Sequence, residues 1–167
     1  EELKGSSRRE PRLKFEPKRQ SGKEVVTAEG ISKAYGDKRV LTNVDFAVRR
    51  GERVGVIGAN GLGKSTPLKI LVGALEPDAG KVVWGHETHV GYFPQDHHEV
   101  LTDEQKTVLD TLWDKCPLEG TSFVRGQLGL VLFSGDDVHK KVGSLSGGEA
   151  ARLLFATIAV LKPNVLV

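Results

Sequence analysis

The densest group of residues able to do chemistry is the run Gly58-Ala59-Asn60-Gly61-Leu62-Gly63-Lys64-Ser65-Thr66. Glycines, a lysine and hydroxyls so close together suit an anion with many oxygens. Phosphate oxygens need several backbone N–H donors aimed at one spot. The chain must curl tightly and keep side chains out of the approach, and glycine does both. A helix starting just after the loop turns the positive end of its dipole toward the same anion. Lys64 supplies a point charge for β and γ phosphates, and Ser65 offers a hydroxyl to Mg²⁺.

The spacing Gly58-x-x-x-x-Gly63-Lys64-Ser65 fits the P-loop pattern without a mismatch. A nucleoside triphosphate is therefore expected there. A second group lies in "SLSGGEAARLLFA". Ser146 and Glu149 have the spacing of a capping box, in which Ser146 caps the helix and Glu149 reaches back. Gly147 and Gly148 then fill the first turn, where each glycine weakens a helix by about 1 kcal/mol relative to alanine. Two in succession suggest that something comes close to exposed backbone N–H groups, and a phosphate is the obvious candidate.

Other clusters carry less. Asp96, His97, His98 and Glu99 resemble a metal set, but adjacent residues diverge in space, and no zinc-type spacing ties them to Cys116. They are expected to be a solvated loop. No Gly-x-Ser-x-Gly elbow is present.

Elements must position these groups. "EVVTAEG" and "VLTNVDFAV" alternate like two antiparallel strands joined by a turn at Gly36 and Asp37. Val54, Val56 and Ile57 form a short β-branched run, so strand, glycine loop and the helix "LKILVGAL" are expected in succession. "KVVW" and "HVGYF" read as further strands. Thr107 with Asp110 makes a capping box for a helix carrying Val108, Leu109, Leu112 and Trp113. "FVRGQLGLVLF" is a weaker helical segment. Ser146 to Leu161 is the clearest helix, with Ala150, Leu153, Leu154, Ile158 and Leu161 on one stripe. Pro163 ends it, and "NVLV" starts a buried strand. The class is α/β: a sheet with flanking helices and a helical insertion over residues 100–145.

The 167 residues suffice for one domain, 24–167, with a core. Residues 1–23 are polar, carry Pro11, Pro17 and Gly22, and read as a linker or mobile arm. In residues 1–20, seven Lys and Arg stand against four Asp and Glu. This mildly basic arm suits a solvated linker better than a nucleic-acid site. No apolar run approaches the roughly 20 residues of a membrane helix. The start "EELKGSSRRE" has no apolar segment of a signal peptide. Cys116 is the only cysteine, so a reducing, cytoplasmic setting is expected. There is no methionine, and the chain ends on "KPNVLV" within a strand pattern. It is therefore expected to be a piece of a longer protein.

The loop and "LSGGE" together resemble the P-loop and signature of ATP-binding cassette (ABC) ATPases, over essentially the whole chain from Val25 on. Tyr35 in "SKAYGDK" matches the family's aromatic residue, which stacks on adenine. Gln95 in "VGYFPQD" matches the Q-loop residue that senses Mg²⁺ and the γ-phosphate. "FSGDDVHKKVGSLSGGEAARL" and "VGYFPQDHHE" resemble the second ABC domain of the ABC-F branch.

That resemblance implies a P-loop NTPase-type ABC core, with an antiparallel β subdomain and a helical insertion, truncated before Walker B. It implies ATP and Mg²⁺ as cofactors, with Lys64 and Gln95 in catalysis and Ser65 and Gln95 toward the metal. Tyr35 and residues Gly58 to Thr66 would hold the nucleotide, and Ser146, Gly147, Gly148 and Glu149 would reach one held by a partner ABC domain. It implies cycles of closing on ATP and opening after hydrolysis, on the ribosome with tRNA, and no membrane insertion. A membrane transporter's nucleotide-binding subunit and a non-catalytic ATP-regulated module are the alternatives. The family's Walker B Asp and catalytic Glu would follow Val167, so this chain alone is expected to be inactive.

Pro67 departs from the family pattern, which has an apolar residue there. It is expected to displace the first helical turn and to weaken nucleotide binding.

Overall fold

The computed structural model describes residues 10–12 and 14–167. The expected linker's residues 1–9 and Leu13 lie outside the described residues. The described residues divide into two compact units, one built from residues 17–92 and 163–167, the other from residues 10–12, 14–16 and 93–162.

The first unit is built on β1 (Glu24–Tyr35), β2 (Lys38–Arg49) and β3 (Ala79–Trp84), an antiparallel sheet in the order β2-β1-β3. β1 is central because its side chains are the apolar ones: Val25, Val26, Ala28 and Ile31 are buried. Helix α1 (Ser65–Leu71) lays Ile70 on Ala28 and Ile31, and Leu41, Val44, Phe46, Leu75 and Val82 close the core. The Trp84 indole N–H donates to the Leu71 carbonyl at 3.0 Å, which ties the end of β3 to the end of α1. Where β3 begins, Gly80 has φ +90°, and a Cβ there would lie 2.5 Å from the Glu29 carbonyl oxygen. Only glycine lets β3 approach β1 so closely.

A separate parallel pair joins β4 (Val90–Gly91) to β5 (Val165–Leu166). Asn164 secures it: its side-chain oxygen accepts from the His89 N–H at 2.8 Å, and its amide donates to the carbonyls of Glu87 at 2.7 Å and Arg19 at 3.1 Å. Residues 17–23 carry no regular element, yet they are held. The Arg50 guanidinium donates to the Ser21 carbonyl at 2.9 Å, and the Gly22 N–H donates to the His86 carbonyl at 2.9 Å.

The expected strand at Val54, Val56 and Ile57 does not form. Residues 52–59 have no regular element, and Val54 is 68% and Ile57 96% exposed. "NVLV" is likewise not a buried strand: β5 is two residues long and Leu166 is 58% exposed. The cause is common to both. A parallel strand is stable when neighbours pair it on both edges and helices cover both faces. Among the described residues, no segment pairs with 53–57, and β5 has β4 on one side only.

The second unit packs α2 (Val108–Trp113), α3 (Thr121–Leu130) and α4 (Gly147–Leu161). Val108 and Leu112 of α2, Val124 and Leu128 of α3, and Leu153 and Ala156 of α4 share one core with Phe133, Val138 and Val142. The Thr107 hydroxyl caps α2 by accepting from the Asp110 N–H at 3.1 Å. Lys162 ends α4 in the left-handed region at φ 50°, and Pro163 follows. In residues 10–16, the Arg12 N–H donates to the Leu130 carbonyl at 2.7 Å. Phe15 meets Phe155 edge-on at 6.3 Å, and Phe155 stacks on Phe93 at 4.2 Å.

Pro67 can be placed against these elements. Lys64 is the N-cap residue of α1, with helical angles of its own, so Pro67 stands at the third helical position. An amide there is among the donors that no helix satisfies, and its absence costs little. The clash that a proline causes deeper in a helix, about 3 kcal/mol, does not arise. What remains is the restriction on Thr66, which is buried and whose N–H donates to the Gly63 carbonyl at 3.0 Å. Pro67→Leu is expected to raise the melting temperature by only about 2–4 °C, the equivalent of about 1 kcal/mol. A thermal melt showing a rise above about 10 °C would mean that the ring distorts the turn.

Candidate functional site

In the sheet unit, β1 ends at Tyr35 and β2 begins at Lys38, and the two residues are paired across the Gly36-Asp37 turn. Tyr35 is 50% exposed, so part of its surface is open to a ligand. The glycine loop lies beside the start of β2. A Cβ on Gly63 would come within 2.0 Å of Val40 Cγ1, and Gly63 itself has φ +84°. Glycine is thus required at this position twice over, by space and by backbone angle. Gly61 also has positive φ, at +79°.

The lysines of this site both sit on loop oxygens. Lys64 Nζ donates to the Ala59 carbonyl at 2.8 Å and to Asn60 Oδ1 at 3.2 Å. Lys38 Nζ donates to the Gly61 carbonyl at 2.9 Å. Among the described residues, no carboxylate pairs with either lysine. The loop therefore carries local positive charge, together with backbone curled by glycine. Such a loop fits a polyphosphate, which supplies the missing negative charge and many acceptors. Ser65 opens α1 and is exposed. Lys38 and Val40 were not expected as part of this site, and their contacts with Gly61 and Gly63 reveal them.

In the helical unit, Gln95 is exposed and follows the buried Pro94. Asp96 accepts from the His98 N–H at 3.0 Å and caps a short 3₁₀ turn, His97–Glu99. The capping box at α4 is present in full. Glu149 accepts from the Ser146 N–H at 2.9 Å and from the Ser146 hydroxyl at 2.8 Å, while the Glu149 N–H points back at Ser146 Oγ. Lys140 Nζ donates to Glu149 at 3.0 Å and pairs with Asp137 at 2.8 Å. Among the described residues, nothing requires Gly147 or Gly148 to be glycine. A Cβ on Gly147 would meet no atom within 4 Å, and one on Gly148 would meet only the end of Arg152, at 3.9 Å.

The Ser146 backbone N–H, then Lys140 and the Ser146 hydroxyl, hold the Glu149 carboxyl down to about 2 from its ordinary 4.5. A carboxyl lowered on folding stabilises the fold above its ordinary value and loses that contribution as it protonates. The box is thus at full strength above pH 4.5 and lost as the pH falls toward about 2. Wild-type protein should melt higher than Glu149→Gln at neutral pH, with the gap closing through that acid window. A gap that is constant with pH would mean that the carboxylate charge does not hold the cap.

The structure brings Tyr35 together with the glycine loop in one unit, and Ser146 to Glu149 together with Lys140 in the other. Gln95 belongs to the second unit.

Folds of this kind occur among ATP-binding cassettes. The chain superposes on the dimeric post-hydrolysis structure of the ATP-binding cassette MJ0796 bound to ADP and Pi, with a TM-score of 0.65. That likeness covers 84% of this chain and 72% of that one at 22% identity, and it is a likeness of fold. The sequence profile of the ABC transporter family matches residues 41–167, and the chain belongs to that family. Its relatives include the probable ATP-binding protein YbiT of Escherichia coli O157:H7, 39% identical over 100% of this chain. ABC transporter F family member 5 of Arabidopsis thaliana is 36% identical over 96% of it. The chain spans 32% and 23% of the length of these relatives. Among the described residues, no helix is long and apolar enough to cross a membrane.

Proposed function

We propose that this chain is the ATP-binding domain of an ABC-F-type ATPase, the second such domain of its protein, with residues 1–23 as the linker ahead of it. The observation that carries the reading is the loop Gly58 to Thr66. It is curled at Gly61 and Gly63, lies against Val40 of β2, and bears Lys64 with no carboxylate partner among the described residues. Tyr35 stacks on adenine, and the loop amides and Lys64 hold the phosphates. Ser65 would offer its hydroxyl to Mg²⁺, whose charge would offset that of the phosphates, and the resemblance to the family's Q-loop assigns Gln95 to sensing that metal and the γ-phosphate.

Ser146, Gly147 and Gly148 present their backbone to a nucleotide on a partner ABC domain. The open space over both glycines supports this. In the intact protein, ATP binding and hydrolysis drive closing and opening, in the cytoplasm and on the ribosome with its tRNA.

Positioning of the metal and the attacking water accounts for most of phosphoryl-transfer catalysis. No carboxylate in the described residues hydrogen-bonds to or pairs with the loop. The 167-residue chain should therefore bind ATP and turn over none. Calorimetry with ATP and a phosphate-release assay check both halves. Absence of binding would overturn the reading, and turnover that Lys64→Ala abolishes would overturn the inactivity.

A further inference from the structure

We propose that Lys38 is a second cationic ligand for the polyphosphate tail of the nucleotide, acting beside Lys64. The proposal rests on the reading of Gly58 to Thr66 as a triphosphate loop.

Lys38 opens β2 directly after the Gly36-Asp37 turn. The register of β2 against β1 shifts between Arg39 and Leu41, and on either side of Arg39 both Lys38 and Val40 meet the loop: Lys38 Nζ on the Gly61 carbonyl at 2.9 Å, and Val40 against Gly63. The contact of Val40 with Gly63 brings the start of β2 against the loop, within reach of the Lys38 ammonium. An ammonium has three N–H donors. Among the described residues, the Gly61 carbonyl is the one side-chain partner of Lys38, and the residue is exposed, which leaves donors for a ligand.

The charge balance points the same way. Lys14, Lys33, Lys81, Lys106 and Lys140 each sit on a carboxylate. Lys38 and Lys64 instead converge on carbonyls of one short loop, Gly61 and Ala59, with no acid among the described residues to neutralise them. Two unneutralised ammoniums on one short loop repel, and an anion bound at that loop relieves the repulsion. Lys38 also stands between the Tyr35 turn and the loop apex. Its charge therefore falls on the phosphate side of a nucleotide whose base lies on Tyr35, and its effect grows with the number of phosphates.

The test is calorimetric titration of the chain with ATP, AMP and inorganic tripolyphosphate at low and high salt. The proteins compared are wild type, Lys38→Ala, Lys38→Arg and Lys64→Ala. Lys38→Ala should weaken ATP and tripolyphosphate about tenfold and AMP less than about twofold, as loss of one charge-assisted contact implies. Its salt dependence should become shallower, and Lys38→Arg should stay within about threefold of wild type. The proposal is overturned if Lys38→Ala binds ATP within about twofold of wild type. It is also overturned if ATP and AMP weaken equally at unchanged salt dependence, because Lys38 then only braces the loop. If wild type binds ATP, and Lys64→Ala loses it while Lys38→Ala does not, this inference alone fails. If wild type binds neither ATP nor tripolyphosphate, the triphosphate-loop reading fails with it.

Discussion

Lys64→Ala is expected to lower ATP affinity by on the order of 100-fold while leaving the fold intact. The ammonium touches only the Ala59 carbonyl and Asn60 Oδ1, both within the loop. Those bonds lie at a solvated surface, so their loss should change stability by no more than about 0.5 kcal/mol. With ATP bound, the same ammonium faces phosphate oxygens. A charge-assisted bond of that kind is worth about 1.5–3 kcal/mol, and two of them reach the range of a 100-fold loss. Calorimetry at fixed ionic strength, paired with a thermal melt, measures both sides. An unchanged affinity would remove Lys64 from the site. A lower melting point accompanying the loss would assign the effect to the loop's own structure.

The second large effect separates stability from function in one molecule. Gly147 and Gly148 occupy the first turn of α4, where alanine would meet no obstacle among the described residues. Replacing both by alanine should stabilise the intact protein by about 1–2 kcal/mol, because glycine is the costlier helix residue. If their backbone N–H groups approach a phosphate on a partner domain, the added methyl groups stand in the approach. ATPase activity should then fall on the order of 100-fold, the scale of losing a positioned donor to a reacting oxygen. A more stable protein with full activity would leave the capping box of Ser146 and Glu149 as the whole meaning of the motif. The comparison needs the intact protein, because the partner nucleotide belongs to another domain.

Much of this molecule was legible in the sequence because the deciding interactions are local. Thr107 capping onto Asp110, and Ser146 boxed with Glu149, each lie within four consecutive residues, so spacing alone predicts them. The glycine loop is of the same kind. Positive backbone angles at Gly61 and Gly63 are demands on residue type, and the residue type reports them. The alternation in β1 and β2 likewise writes an antiparallel sheet into the sequence.

Tertiary structure alone decided the rest. The β-branched run Val54 to Ile57 has every local mark of a strand, but a strand is completed by its neighbours. Among the described residues none pairs with it, so it stays without a ladder. The cost of Pro67 depended on a helix start that sequence fixes only to within a residue or two, and one residue separates an orphan amide from a broken bond. Lys38 is a plain surface lysine in the sequence. It joins the loop because strand pairing sets it opposite Tyr35 and because Val40 seats β2 against Gly63. Lys140 reaches Glu149 from nine residues away, across the turns that precede α4. These contacts join segments that sequence spacing leaves unrelated, and the packing of the chain on itself brings them within a few ångströms.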